Sequence, residues 1–141
     1  MDVMRIFKTA ATFLLVAVFL LLLISAYSRH REISSACSLV EASSSIANHL
    51  VLEELRPPSG GRSHVVDPAR VGELPCRISI GGENFVYRLR LTFWRGGKEV
   101  TVMCGPEAQA NAQTSSVSLP VTVFDNFRME AGLMEVVVWR E

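Results

Sequence analysis

A charge-free apolar run near the N-terminus constrains this chain more than any other feature. It covers Thr9–Ser28, and eleven of the twelve residues from Phe13 to Ile24 are Phe, Leu, Val or Ile. About 20 such residues match the hydrocarbon thickness of a bilayer. Insertion of the run is favoured by roughly 3–7 kcal/mol on scales derived from translocon experiments. We expect a transmembrane segment at Thr9–Ser28, preceded by a short stub at residues 1–8.

The run admits three interpretations, which differ in the mature N-terminus. A simple membrane anchor keeps Met1. A cleaved secretory signal, with Arg5 and Lys8 as its basic start, is cut after the small residues that end the run and leaves Tyr27. In the third interpretation the run is the first half of a longer helix that begins, after processing, at Thr9. Two basic residues stand on each side of the run, so the positive-inside rule does not decide its orientation.

The residues after the run continue a helical pattern. Glu32–Arg56 contains neither Pro nor Gly, and its apolar residues recur at the spacing of one helix face. These residues are Ile33, Ala36, Cys37, Val40, Ala47, Leu50 and Val51. No helix breaker lies between Phe7 and Arg56, so we predict one helix of about fifty residues, roughly 75 Å long, with residues 29–56 as its amphipathic continuation. Pro57–Gly61 ends it.

Small side chains occupy the middle of this amphipathic half. They are Ala42, Ser43, Ser44, Ser45 and Ala47. Small residues let helix backbones approach closely, so the stripe is a candidate contact between helices. The serines are explained equally well as a solvated surface, and the sequence does not choose between the two.

Size and charge limit the possible functions. The chain has 141 residues, and the part after the apolar run is enough for one small domain. Fourteen basic residues balance fourteen acidic ones, with no long run of like charge. We therefore expect no nucleic-acid partner, and no pattern predicts a small-molecule substrate.

The rest of the chain is typical of a small β domain. Residues 57–75 are polar and punctuated by Gly and Pro, so we expect a linker or loop with one short strand at His64–Val66. Residues 76–141 carry apolar side chains at the period of two that strands show. The strongest strand is Phe85–Phe93, with one face apolar and one polar. The predicted fold class is α+β, with one long N-terminal helix packed on a small antiparallel sheet.

Two glycine pairs set the register of two hairpins. Gly96–Gly97 and Gly81–Gly82 suit two-residue loops because Gly accepts positive φ at both positions. The predicted pairs are Phe93–Val100, Leu91–Val102, Leu89–Cys104, Ile78–Phe85 and Cys76–Tyr87. Both hairpins then put their apolar residues on the same face of the sheet.

This register bears on the cysteines. It predicts Cys76 and Cys104 on strands that flank the central one, about 9.6 Å apart at two strand spacings, which is beyond disulfide reach. We therefore favour two buried thiols. A bridge would require the third strand to leave this sheet, as in a sandwich. Cys37 is expected to pack on the apolar stripe of the helix.

Two further strands complete the prediction. Val117–Val123 alternates again, and Pro120, which cannot donate to a ladder, indicates an edge strand or the start of a strand. Asp125–Asn126 begins a turn. Leu133–Trp139 is apolar on both faces, so we expect it in the centre of the sheet.

No catalytic, cofactor-binding or metal-binding residues are predicted, and we do not expect an enzyme. His30, His49 and His64 are far apart in sequence. Only His49 and Glu53 have the spacing of ligands on one helix face, and two ligands do not make a metal site. The glycine pairs do not stand between a strand and a helix, as a phosphate-binding loop requires.

Two arginines are the remaining candidates for binding. Arg88 and Arg90 lie on the polar face of the strongest strand, with Trp94 nearby. They suit either an anionic partner or a solvated sheet face.

The order of these elements resembles that of the type IV pilin-like proteins. This family includes archaeal pilins, archaellins and the pseudopilins of secretion systems, and the resemblance covers the whole chain at the level of layout. It implies a helix that is held in the membrane before assembly and then packs with its neighbours in a filament core, with the β domain outside. Its partners would be copies of itself or related pilin-like subunits.

The chain departs from the family's processing pattern. Phe7–Lys8 precedes Thr9 where the family has Gly or Ala, and Phe13 occupies the position of the family's Glu. We therefore expect a minor or unprocessed pilin-like protein rather than a major pilin.

Two functions are compatible with the sequence. The first is a structural subunit or accessory component of a type IV pilus-like filament or secretion assembly, anchored by the N-terminal helix. The alternative is a single-pass, membrane-anchored extracytoplasmic β module that binds a protein partner, which predicts a break in the helix near Ser28–Glu32. Both place the protein in the cell membrane with residues 76–141 outside the cytoplasm, because the stub before the run is too short to be the folded part.

Overall fold

A computed structural model describes residues 3–60 and 64–141. Helix α1 spans Val3–His49 and is followed by a single π-helical turn at Leu50–Glu54. The predicted long helix is confirmed, and it continues without a break through Arg29–Ser34. Residues 1–2 of the predicted stub and residues 61–63 of the predicted linker lie outside the described residues.

The chain forms two compact units, one that ends at Ser35 and one that comprises Ala36–Glu141. In the first unit every described residue up to Ser34 is exposed. The helix is long and apolar enough to cross a membrane. Side chains such as Phe13 and Leu21 are therefore left uncovered by the described part of the chain, and a bilayer is the environment that would solvate them.

In the second unit, residues 36–55 pack on one face of a β-sheet. The buried helical residues recur at three- and four-residue spacing. They are Leu39, Ala42, Ser43, Ile46, Ala47, Leu50, Val51 and Leu55. The predicted stripe is only partly right, because Cys37 and Val40 are exposed and the sheet covers the neighbouring face through Leu39 and Ile46.

Within the described residues the sheet has six strands. They are β1 (Val65–Val66), β2 (Arg77–Ile80), β3 (Glu83–Arg95), β4 (Lys98–Cys104), β5 (Thr114–Asp125) and β6 (Arg128–Arg140). A 3₁₀ helix at Pro68–Glu73, which the sequence did not predict, follows β1 and is capped by the Asp67 carboxylate, which accepts a hydrogen bond from the Ala69 N–H. The α+β prediction is confirmed, although the sheet is mixed because β1 runs parallel to β5.

The predicted registers are confirmed. Phe93 pairs with Val100, Leu91 with Val102 and Leu89 with Cys104. Ile78 pairs with Phe85, and the Tyr87 N–H donates to the Cys76 carbonyl oxygen. The inward residues of β3 and β6 form the core with α1. Among them Tyr87 is buried, which raises the pKa of its phenol and keeps it neutral.

The prediction that β2 and β4 flank β3 is wrong. The strand order is β1-β5-β6-β3-β2, with β4 also paired to β3, and β6 occupies one edge of β3 from Phe85 to Phe93. Because β2 pairs only with residues 83–86 and β4 only with residues 89–95, the two short strands lie end to end along the other edge.

This arrangement also corrects the prediction of two free thiols. Cys76 and Cys104 lie opposite Tyr87 and Leu89, two residues apart along the same edge, so their Cα atoms are 6.9 Å apart and a disulfide joins them. No sandwich is needed. Cys37 is the free cysteine, and it is exposed.

The positions of the last two strands are confirmed. Strand β6 lies between β3 and β5, in the centre of the sheet. Strand β5 pairs with β6 along its full length, whereas on its other side β1 covers only Thr122 and Val123 among the described residues. Pro120 therefore lies on an edge segment, where its missing N–H leaves no ladder bond unmade.

Gly105 makes the junction of β4 with β3 possible. Its φ of +101° suits Gly, and a Cβ at this position would overlap the Tyr87 carbonyl oxygen and lie 3.0 Å from Arg88 Cα. These neighbours are backbone atoms of β3, which is paired on both edges, so moving them would cost several hydrogen bonds of the sheet.

We expect Gly105→Ala to lower the free energy of unfolding by at least about 3 kcal/mol, because backbone overlap adds to the strain of positive φ. Gly97→Ala is the matched control. Its φ is +79° but nothing lies within 4 Å of an added Cβ, so we expect a loss of about 1 kcal/mol. Equal losses, measured by guanidinium unfolding of the full chain in detergent micelles, would contradict the close approach at Gly105.

The disulfide closes a sequence separation of 28 residues. The chain-entropy relation gives about 3.5 kcal/mol of stabilisation for a loop of this length. We expect Cys76→Ser/Cys104→Ser to lose about this amount in the same unfolding measurement, and Cys37→Ser, which removes an exposed thiol, to leave the stability unchanged. A double variant as stable as the wild type would show that the cysteines are not joined.

Candidate interaction surface

The two faces of the sheet are covered differently. Helical residues 36–55 cover the inner face. The loop Gly105–Gln113, here called the strap, connects β4 on one side of β3 to β5 on the far side of β6. Because the helix occupies the inner face, the strap crosses the outer face, where its Ala108 lines a pocket with Val137 and Trp139. The rest of the outer face is open.

The open part of the outer face is apolar towards the β5–β6 turn. Its exposed large side chains are Trp94, Met129 and Leu133. The part beneath the strap is charged instead. Arg90 pairs with Glu135 at 3.4 Å and Arg88 with Glu107 at 3.2 Å. Exposed apolar patches of this kind mark contacts with a partner or a membrane.

The β5–β6 turn carries the most exposed aromatic side chain. Asn126 and Phe127 form a two-residue loop with φ of +47° and +63°, the signs that a type I′ turn requires. Asn is common at positive φ, whereas Phe is an outlier there. Phe127 is 94% exposed, and its ring makes an edge contact with that of Phe124, with centroids 6.3 Å apart. Neither burial nor backbone preference explains this residue, which makes it a candidate contact residue.

A bidentate ion pair fixes the base of this turn. Arg95 donates from Nη2 to Asp125 Oδ1 at 2.8 Å and from Nε to the other carboxylate oxygen. The hydrogen bond with Asp125 raises the pKa of Arg95 above its ordinary value. A shallow pocket of about 420 Å³ lies beside it, between the turn and the start of the 3₁₀ helix at Pro68.

The small residues of the helix lie mostly against the chain's own sheet, whereas the sequence made them a candidate contact with another helix. Ala42, Ser43 and Ala47 are buried, and Ser43 Oγ lies 3.0 Å from Ser115 Oγ on β5. These residues bring the helix close to its own sheet. Of the stripe, Ser44 and Ser45 are exposed and remain available to another helix.

The histidines form no metal centre within residues 3–60 and 64–141. His49 contacts two carboxylates, Glu53 at 3.3 Å and Glu54 at 3.6 Å. The π-helical turn explains the second contact, because it brings the residue five positions along the chain to the same side of the helix.

Neither a protein family, nor a curated protein, nor a solved structure matches this chain in comparisons with known proteins. The function must therefore be argued from the surfaces described above.

Phe127 offers a test of the strained turn. We expect Phe127→Gly to be about 1 kcal/mol more stable than Phe127→Ala, because Gly adopts positive φ without the Cβ penalty. Both variants lose the same ring, so the difference isolates the backbone. Equal midpoints in guanidinium unfolding would mean that position 127 does not hold positive φ in solution.

Proposed function

We propose that this protein is a membrane-anchored structural subunit or accessory component of a type IV pilus-like filament or secretion assembly. The observation that carries the proposal is the continuity of α1 from Val3 to His49, with an exposed apolar N-terminal part and a C-terminal part that packs on the sheet. A tethered module needs a membrane span but has no need of an unbroken helix that enters its folded domain. In this proposal the protein is structural and not an enzyme.

The exposed apolar part of α1 supports assembly through helix contacts. Residues 3–34 are all exposed in the described structure, so they suit either lipid or the helices of other subunits. Moving these side chains from lipid to a contact with another helix exposes little apolar surface to water, because lipid tails are as apolar as leucine. The partners in this proposal are the bilayer, through Thr9–Ser28, and copies of this chain or related subunits.

The helix face that remains for such contacts is limited. Ala42, Ser43 and Ala47 are covered by the chain's own sheet, so subunit contacts in this region would use Cys37, Val40 and neighbouring exposed residues. The β domain is placed outside the cytoplasm in this proposal. Phe7–Lys8 before Thr9 favours an unprocessed or minor subunit over a major one.

The open outer face of the sheet favours a second candidate function. Trp94, Met129 and Leu133 are exposed there, and Phe127 projects from the adjacent turn. A single-pass protein whose β domain binds a protein partner through this face would need no helix contacts. Of the two functions, it alone requires the chain to stay a monomer in the membrane.

Cross-linking in native membranes separates the two functions. Ala17 and Ala26 lie nine residues apart, which at 100° per residue puts them on opposite sides of the helix. In a Cys37→Ser background we expect Ala17→Cys/Ala26→Cys to give ladders beyond the dimer on oxidation, because each subunit in an assembly has helical neighbours on more than one side.

The single variants Ala17→Cys and Ala26→Cys are the matched controls and should stop at dimers. If the double variant also stops at monomers and dimers, assembly through α1 is contradicted and the tethered module remains.

A further inference from the structure

The outer face of the sheet holds a small pocket where the strap crosses it. The pocket has a volume of about 120 Å³ and is lined by Arg88, Arg90, Ala108, Glu135, Val137 and Trp139. It arises because β3 and β6 supply the floor and the strap supplies a wall. At ~30 Å³ per water in the liquid, this space suits a few waters or one small functional group and excludes a nucleotide.

Arg88 has an unused donor in this region. Its Nε is buried and has no hydrogen-bond partner among the described residues, although its side chain as a whole is 27% exposed. Nη1 lies 3.2 Å from Glu107 Oε1, and Nη2 reaches only the Met103 sulfur, at 3.8 Å. A buried donor on a charged group normally has a partner, because leaving it without one costs stability. Of the three guanidinium nitrogens of Arg88, only Nη1 therefore has an oxygen partner among the described residues.

The internal partner of Arg88 is easily displaced. Glu107 lies on the strap and its side chain is 83% exposed. Ion pairs with so much exposure contribute little to stability, since water solvates the separated charges almost as well. If the Glu107 side chain turns into solvent, Arg90 and Glu135 still form an ion pair at 3.4 Å. Arg88 is then the one charged group of the pocket without an ion-pair partner in the described part of the chain.

The remaining walls select among anions. Trp139 is 7% exposed and Val137 is half-buried, so two sides of the pocket are apolar. Glu135 and Glu107 stand close enough to repel a doubly charged phosphate more strongly than a single carboxylate. A guanidinium fork also matches a carboxylate in a bidentate pair.

We propose that this pocket is a binding site for a carboxylate carried on a short apolar stem. Arg88 holds the carboxylate through Nη1 and Nη2 once Glu107 has moved away, and Trp139 and Val137 receive the stem. Glu107 is the chain's own carboxylate, which holds Arg88 when the site has no ligand and competes with the ligand for it. The inference stands independently of the assembly function, because every group in it belongs to residues 88–139.

Trp139 provides the readout. The chain has two tryptophans, so Trp94→Phe leaves Trp139 as the only tryptophan, which is excited selectively at wavelengths too long for tyrosine to absorb. The full-length protein in detergent micelles is titrated with sodium butyrate and with a hexaglutamate peptide, against sodium chloride and sodium phosphate at equal ionic strength. We expect a saturable change in Trp139 emission with the carboxylates only.

Three variants in the Trp94→Phe background test the roles of the arginine and of its internal partner. Glu107→Gln should tighten carboxylate binding about five-fold, because it weakens the competitor. Arg88→Gln and Arg88→Lys should weaken it at least ten-fold, the lysine variant showing that charge without the guanidinium fork is not enough. Arg128→Gln is the control, since it removes the same charge nine residues along β6 from Val137, the partner of Arg88, or roughly 30 Å away. The unfolding midpoint of each variant separates lost binding from lost folding.

The outcomes decide both the site and the source of its ligand. Hexaglutamate binding at least ten-fold tighter than butyrate assigns the site to an acidic protein segment, and equal binding assigns it to small carboxylates. Three outcomes would each overturn the proposal and mean that the pocket holds only water. The first is a change in Trp139 emission that is the same with chloride and phosphate as with the carboxylates. The others are no tighter binding by Glu107→Gln and unchanged binding by a folded Arg88→Gln variant.

Discussion

The sharing of one edge of β3 by two short strands determines the rest of the β domain. Strand β3 has thirteen residues, whereas β2 has four and β4 has seven, so both fit end to end along that edge. The other edge is then free for β6, which becomes the central partner of β3 and β5. The chain between β4 and β5 must cross the sheet as a consequence, and that crossing creates both the strap and the pocket beneath it.

The sequence predicted the register of consecutive strands better than the order of the strands in the sheet. Glycine loops and alternating side chains fix which residues of two consecutive strands face each other, so the registers around Gly81 and Gly96 were predictable. They do not fix which edge of the shared strand each neighbour takes. One signal was present, since the two hairpins use separate stretches of β3, residues 83–87 and 89–95, and strands that do not overlap can share an edge.

The candidate contact residues were harder to predict, because their features depend on tertiary structure. The helix has two adjacent apolar stripes, and only the sheet determines that Ile46 is covered while Val40 is not. A turn at Asp125–Asn126 was predictable, but an exposed Phe127 at positive φ was not, since turns of this kind normally take Gly. Arg88 and Arg90 were recognised as candidates for an anion, whereas Glu107 and Trp139 enter only through the path of the strap.

The covalent link between the ends of β2 and β4 has a mechanical consequence. It closes a ring around the 27 residues between Cys76 and Cys104, two complete hairpins. When the chain is pulled from the segment before Cys76 and the segment after Cys104, the disulfide bond carries the force and the residues between the two cysteines do not. Roughly 90 Å of contour length is thereby protected from extension, so that a domain loaded in this way yields first in its helix and in β5 and β6.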